Sequence, residues 1–413
     1  MKNYPIKIVV QTSVMLCTLL IGFKVQSQDL SSLIEEGLKN NPEIQKFEIQ
    51  HAISAERVNE VQMLPNSEFA VGYFVSEPET RTGAQRFKVS AKQMLPWFGS
   101  ITAREKYAHS LADAKYVDIV IAKRKLIAAI SQAYYTLYTN RAKQKVLDEN
   151  IQLLKTYETF GLTFVEIGKA SAVDILRLQM RQNELDQLKK VLAQQYVAEQ
   201  TTLNKLLNRD KSIPIVLVDK LSIPPVTNLM SSNELSLHPE LIKYDKLYQS
   251  VVQSELLNQK ERAPMIGFGL DYINVDQRPN MNFSDNGKDI VMPMVAVSIP
   301  IFTKKYRSQT KQNQLQQQEI TAEKQARMNA LETALEKAIR DRNAASISYT
   351  TQGKNLAQAS SAKEIVLKNY ETGSIDFTDV LDIQELQLKF QINQLDAIRT
   401  YYEQTTIINY LSN

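Results

Sequence analysis

Arg86-Phe87-Lys88-Val89-Ser90-Ala91-Lys92 alternates polar and apolar side chains at every step. That period of two marks a β-strand with one wet face and one dry face. Phe69, Val71, Tyr73 and Val75 alternate in the same way just upstream. Far along the chain the pattern returns. Ile266, Phe268, Leu270 and Tyr272 form one face, with Gly267, Gly269 and Asp271 on the other. Val291, Val295, Val297 and Ile299 line a fourth segment. The strands are expected at about 67–76, 84–95, 265–275 and 289–299. Each is close to the ~9–11 residues that a tilted strand needs to cross a bilayer. The connections Glu77 to Gly83 and Asp276 to Lys288 are polar, as the outer loops of a barrel should be. Pro293 lies inside the fourth segment, where its missing N–H predicts a bulge or a shortened strand. Alternation alone fits a soluble two-stranded sheet equally well.

Working outward, each strand pair sits between prolines: Pro65 and Pro96 in the first case, Pro264 and Pro300 in the second. Proline ends a helix where strand geometry must take over. The flanking sequence also repeats. Asn41-Pro42-Glu43-Ile44 matches His238-Pro239-Glu240-Leu241, and Pro96-Trp97-Phe98 matches Pro300-Ile301-Phe302. Glu166-Ile167-Gly168 matches Glu371-Thr372-Gly373, and Val173-Asp174-Ile175-Leu176 aligns with Thr378-Asp379-Val380-Leu381. Anchors in one order with slowly drifting offsets predict a duplication. The first copy is expected at 28–211 and the second at 238–413, joined by a proline-rich extended linker at 212–237.

Each copy then holds two long helices about a glycine-containing turn. From Phe98 to about Glu166 there is no proline, and Gly99 and Gly161 are the only glycines. At 1.5 Å per residue, roughly 60 residues span about 90 Å, more than the diameter of a globular domain, so an elongated molecule is expected. Apolar residues step by three, four and seven, as in Ile127, Ile130, Tyr134 and Leu137, or Leu381, Leu388, Leu395 and Tyr402. That is coiled-coil or bundle packing. Lys304 to Gln325 departs from it, with only Tyr306, Leu315 and Ile320 as large apolar residues. Two readings remain open there: a disordered linker, or a helix wetted on both sides.

The N-terminus reads as a secretory leader, 1–27: Lys2 and Lys7, an apolar run from Ile8 to Phe23, then Val25-Gln26-Ser27 at the cleavage site. An uncleaved anchor is the alternative, disfavoured by Gln11, Thr12 and Ser13. Cys17, the only cysteine, follows Leu16 rather than a small residue, and belongs to the leader rather than to a lipid anchor. The mature chain then has neither disulfide nor thiolate metal site. Of 49 Lys+Arg and 45 Asp+Glu, Lys2, Lys7 and Lys24 leave with the leader, and the net charge falls from +4 to +1. Such a balance excludes nucleic-acid binding through counterion release. His51, His109 and His238 show no ligand spacing and are expected at the surface. Met265, Met281, Met292 and Met294 cluster near the second strand pair, where gap-filling or lipid contact is the expected use rather than soft-metal binding. No phosphate loop, nucleophile motif or base-framed carboxylate pair occurs. No enzyme, cofactor or metal site is expected.

Two copies of helix–strand–strand–helix–helix after a leader resemble the TolC family of outer-membrane efflux proteins. The resemblance covers nearly all of the mature chain. Its most specific marks are the turns Glu166-Ile167-Gly168-Lys169-Ala170-Ser171-Ala172-Val173-Asp174-Ile175-Leu176 and Asn369-Tyr370-Glu371-Thr372-Gly373-Ser374, the latter running into Asp379-Val380-Leu381-Asp382. Asn41-Pro42-Glu43 and Ala133-Tyr134-Tyr135 also look like the family. Pro96-Trp97-Phe98-Gly99 resembles members that serve heavy-metal pumps of the resistance-nodulation-division class.

The resemblance implies a mainly α fold with a small β part. Long helical hairpins and four transmembrane strands per chain build a homotrimeric α/β-barrel in the outer membrane, with a periplasmic helical extension. It implies a passive efflux conduit working with a periplasmic adaptor (a membrane fusion protein) and an inner-membrane pump, in contact with outer-membrane lipid. Asp379 and Asp382 match family positions that narrow the periplasmic entrance, with Asp174 as the first-copy counterpart and Arg177 where the second copy has Asp382. Tyr370 matches a position in the family's hydrogen-bonded latch, but the latch arginine is Ile375 here, so closure by packing is the alternative. Ile167, Gly168, Lys169, Thr372, Gly373 and Ser374 are the expected adaptor contacts. Plain helix-start and turn chemistry remains open for all of these residues. A soluble periplasmic coiled-coil adaptor or scaffold is the competing function, and a surface-secreted binding protein a third.

Overall fold

A computed structural model describes residues 29–168, 171–224, 232–372 and 374–412, and backbone only for 232–234. The expected leader, Lys169 and Gly373 lie outside the described residues. The elements run α1 (Leu30–Asn40), α2 (Pro42–Val61), β1 (Glu68–Tyr73), β2 (Glu79–Thr80), β3 (Gly83–Leu95), α3 (Ser100–Glu166) and α4 (Ala172–Leu206). A short 3-10 helix, Ser232–Leu237, precedes α5 (Pro239–Glu261), β4 (Met265–Val275), β5 (Ile290–Ser298), α6 (Lys304–Glu371) and α7 (Phe377–Ser412). The helix, strand-pair and helical-hairpin order thus occurs twice, with hairpin helices of 67 and 35 residues the first time and 68 and 36 the second. The protein is mostly helical with one small antiparallel sheet. No described helix is long and apolar enough to cross a membrane.

The residues fall into two compact units. The sheet unit comprises Pro42–Lys125, Leu229–Lys337 and Asn409–Asn413. Its sheet has the order β1-β3-β4-β5, all antiparallel, with the two-residue β2 added to β3. β1 and β5 are the open edges. Pro293 opposes Leu270 with no slip in register, so there is no bulge, and of the two expectations it is the shortened strand that holds: β5 is Ile290–Ser298 rather than 289–299. An edge strand bonds a neighbour on one side only, and there a proline costs no ladder bond when its nitrogen faces outward. The irregularity falls instead at Arg86, between the pairs Gln85↔Val275 and Phe87↔Asn274. That bulge frees Arg86 to pair with Asp276 and with Glu77, the latter at 3.1 Å.

Lys304 to Gln325 is helical, the first third of α6, so the disordered-linker reading is overturned. Hydrogen bonds take the place of apolar packing. Asn258 Nδ2 donates to the Tyr306 carbonyl at 3.0 Å and to Thr310 at 3.1 Å. Asn313, buried, donates to Glu255 at 2.8 Å, and Thr310 donates to the same carboxylate at 3.0 Å. His238 is also buried rather than at the surface. Its Nδ1 accepts the Glu240 N–H and caps α5, which leaves Nε2 to donate to the Tyr410 carbonyl at 3.1 Å. Beside it the Glu240 carboxylate gathers Arg327, the Tyr410 hydroxyl and, at 3.8 Å, Lys125. The clamp joins α3, α5, α6 and the last turns of α7.

The hairpin unit comprises the chain up to Asn41, Leu126–Asn228 and Ala338–Ile408. Leu147, Ile151, Leu154 and Tyr157 of α3 pack with Ile175, Leu178 and Leu185 of α4 and with Phe377, Val380 and Leu388 of α7. The described part of the linker, residues 212–224, docks on α3. The Val218 and Leu221 amides donate to the hydroxyls of Tyr134 and Tyr138, and Ile215 and Leu217 are buried.

Candidate functional site

The two hairpin turns of the hairpin unit carry most of the site residues expected from sequence. At the first turn, Gly168 adopts φ of +73°, a left-handed conformation that glycine takes without steric cost. Ser171 then caps α4: its hydroxyl accepts the Val173 N–H at 3.1 Å, while Asp174 accepts the Ser171 N–H at 3.4 Å. Asp174 also lies 3.6 Å from Arg177. Part of its role is therefore local capping. Asp379 holds the same third helical position at the start of α7, its N–H donating to the Asp376 carbonyl at 3.2 Å. Asp379 and Asp382 are both exposed, one turn apart.

The structure brings Asp174 and Tyr370 together and leaves the α7 pair aside. A cavity of about 540 Å³ is lined by Phe164, Gly168, Asp174, Tyr370, Ile375 and Phe377, among others. Asp379 and Asp382 do not line it. Tyr370 packs edge-on against Phe164 at 5.7 Å and tilted against Phe377 at 5.1 Å, and Phe377 meets Tyr157 at 6.0 Å. Burial, and then the nearby Asp174 carboxylate, raise the Tyr370 phenol above its ordinary pKa. Ile375 adds an apolar wall where a latch arginine is expected. Ile167, Thr372 and Ser374 are exposed around these turns, and the Thr372 and Ser374 hydroxyls lie 3.0 Å apart.

Sequence reasoning missed the contact between the turns. Arg177 Nη1 donates to Thr378 Oγ1 at 2.8 Å, and Arg181 reaches Glu385 at 3.5 Å. Both arginines follow Asp174 at spacings of three and seven, the helical signal that could have marked them. Buried Gln384 was also missed. Its amide donates to Asn150 at 2.7 Å inside the apolar core, and its own carbonyl oxygen is buried without a protein partner.

The second surface is the sheet. Its register sets Phe69, Val71 and Tyr73 beside Val89, and Phe268 and Leu270 beside Val295 and Pro293, all on one face. That face is open: Phe69 is 78% exposed, Val71 77% and Val295 71%. The opposite face holds Lys88, Ser90, Lys92, Gly267, Gly269 and Asp271, with Ile273, Met292 and Met294 among them; Met294 packs over Gly269, which is gap-filling rather than contact on the open apolar face. There Asp271 is fully buried and paired with Lys88, and Lys92 lies 4.0 Å from Glu68. The arrangement inverts that of a soluble sheet. Beyond the strands, the two polar connections interlock. Arg278 binds Glu79 at 2.8 Å and the Thr80 carbonyl at 2.6 Å, and Arg81 pairs with Asp285. Among the described residues no three His, Cys, Asp or Glu side chains are arranged to hold a metal.

No protein-family model matches the sequence, and no curated protein does. Solved structures match along nearly the whole chain. CusC, crystallised in work on folding and transmembrane channel formation, shares 13% identity over 94% of this chain and 93% of its own, with a TM-score of 0.77. The outer-membrane protein VceC of Vibrio cholerae shares 15% over 94% and 97%, with a TM-score of 0.73. The open state of the MtrE outer-membrane channel of Neisseria gonorrhoeae shares 17% over 92% and 88%, also at 0.73. At such identities the likeness is one of fold: this chain has the fold of the TolC-type outer-membrane channels.

Proposed function

We propose that the protein is an outer-membrane efflux conduit, a passive channel rather than an enzyme or a soluble scaffold. The exposed apolar face of its sheet carries this reading. Phe69, Val71, Tyr73, Phe268, Leu270, Val291, Val295 and Val297 each stand about half exposed or more. Leaving eight such side chains in water forgoes on the order of 10 kcal/mol, as much as the whole stability of many domains. Lipid removes that cost, and the small and charged residues of the opposite face suit a wet lumen. A soluble scaffold offers no reason for an inverted sheet.

Four strands with two open edges cannot close a barrel alone, since outer-membrane barrels have eight or more. Three copies, each setting β5 beside the next copy's β1, give twelve strands, with Pro293 leaving one ladder bond unmade at that seam. The duplicated plan, with copies at 28–211 and 238–413 after a cleaved leader, supplies two strands and one helical hairpin per copy. The hairpins extend into the periplasm and line the passage. Asp379, Asp382 and Asp174, threefold repeated, ring its entrance and favour cations over anions. Tyr370 closes it by aromatic packing. The turns, Ile167, Gly168, Lys169, Thr372, Gly373 and Ser374, meet a periplasmic adaptor, and an inner-membrane pump supplies the energy. Cation cargo agrees with the acidic entrance.

The test is fractionation followed by planar-bilayer recording. A conduit appears in the outer-membrane fraction and conducts ions when reconstituted. Recovery in the soluble periplasmic fraction without detergent would refute the proposal.

A further inference from the structure

The junctions between sheet and helices carry a feature that conduction does not use. α6 opens on Lys304, Lys305 and Arg307, with Lys311 one turn further, and its first turn holds no acid. The helix dipole opposes cations at an N-terminus, so the charges sit where the helix tolerates them least. All four are exposed, and among the described residues none of them is paired with a carboxylate; Lys305 lies over the Tyr306 ring, 5.8 Å from its centre. A local rule broken without an acidic partner inside the chain points to an external one.

The surroundings identify that partner. Ile301 and Phe302, just before α6, are 81% and 89% exposed. The end of α5 lies alongside, through the bond from Asn258 to the Tyr306 carbonyl, and adds the exposed cation Arg262. The Ser100 hydroxyl reaches the Lys260 carbonyl at 3.5 Å, which brings in Phe98, 81% exposed. The succession is an apolar strand face, then bare aromatic and aliphatic side chains, then cations without a carboxylate partner. It is the succession of hydrocarbon, interface and headgroup across one bilayer leaflet. An apolar protein partner would cover Phe302 and leave the cations unbalanced.

We infer that this rim binds the headgroups of anionic phospholipids in the leaflet that faces the helices. The inference rests on the outer-membrane reading. Each cation near an anionic surface is worth about fivefold in affinity, so Lys304, Lys305 and Arg307 together contribute about a hundredfold.

The test is native mass spectrometry of the full chain in detergent, titrated with phosphatidylglycerol or phosphatidylcholine. The wild type is expected to retain phosphatidylglycerol with about a hundredfold preference. K304Q/K305Q/R307Q is expected to lose most of it, and K354Q/K368Q, altered in the hairpin unit, to keep it. Equal retention of the two lipids by the wild type would overturn the inference. So would full competition by millimolar inorganic phosphate, which would make the rim a general anion site. An unchanged lipid preference with a lowered oligomer mass in the triple variant would make it a contact between copies. Uptake of neither lipid would instead refute the outer-membrane reading, and the inference with it.

Discussion

Replacing Tyr370 with Phe and with Ala separates two ways of holding the hairpin turns together. In a hydrogen-bonded latch the phenolic hydroxyl carries the energy. Here the ring does, through Phe164 at 5.7 Å and Phe377 at 5.1 Å, with apolar Ile375 beside it in the same cavity. Each aromatic pair contributes about 0.5–1.5 kcal/mol beyond its buried area. Tyr370→Ala therefore costs about 1–3 kcal/mol, or roughly five- to a hundredfold in the closed-to-open ratio per chain if the cluster holds only the closed state. Tyr370→Phe keeps both contacts and should stay within about 0.5 kcal/mol of wild type. Open probability in single-channel recordings and denaturant midpoints of the purified protein read the two effects. A Phe variant as leaky as the Ala variant would refute the packing account. A pH test follows from the raised Tyr370 phenol. Its folded pKa exceeds the unfolded value, so its contribution is whole below about pH 10 and is lost as pH climbs through the folded value.

Further expectations concern other places in the two units. Glu240→Gln removes the carboxylate shared by Arg327, Tyr410 and Lys125 and should cost about 2–3 kcal/mol in urea titrations. Burial raises the Glu240 carboxyl, but those three partners outweigh it and leave the group below its ordinary value. Burial also holds the His238 imidazole below its ordinary value, against its bond to the Tyr410 carbonyl. Both shifts are depressions, so their stabilisation is whole above about pH 6.5 and falls with acidification, His238 first and Glu240 below about pH 4; a wild-type acid profile matching that of Glu240→Gln would contradict this. Asn150→Leu alone strands the Gln384 amide in an apolar core and should cost about 1–3 kcal/mol, whereas Asn150→Leu/Gln384→Leu should recover most of that in thermal unfolding. Replacing Asp379 and Asp382 with Asn should weaken cation preference and block by multivalent cations; unchanged selectivity would remove these acids from the constriction.

The strands were legible because alternation is strict and the prolines fence it. Segments expected at 84–95 and 265–275 correspond to strands Gly83–Leu95 and Met265–Val275, whereas those expected at 67–76 and 289–299 are shorter, Glu68–Tyr73 and Ile290–Ser298, each an edge strand bonded on one side only. The long hairpins were legible because nothing between Ser100 and Glu166 breaks a helix. What the sequence concealed depends on contacts between distant residues. Lys304 to Gln325 resembles a linker until Glu255, about 50 residues earlier, supplies its hydrogen bonds. Pro293 predicts a bulge only if the strand is bonded on both sides, and edge position is a property of the sheet. His238 looks like a surface histidine until the last turns of α7 return to cover it. At the turns, the equivalence of Asp174 and Asp379 was visible in the repeat. The aromatic cluster around Tyr370 was not, because Phe164, Tyr370 and Phe377 come from three helices.

The proposed conduit requires several copies of this chain in one barrel, since four strands with an inverted face cannot close alone. Light scattering with detergent correction, on protein extracted from the outer-membrane fraction, measures this directly. A shared twelve-stranded barrel gives a protein mass three times that of the mature chain. A single-chain mass, in protein recovered from the periplasm without detergent, would contradict it and leave the sheet a soluble one.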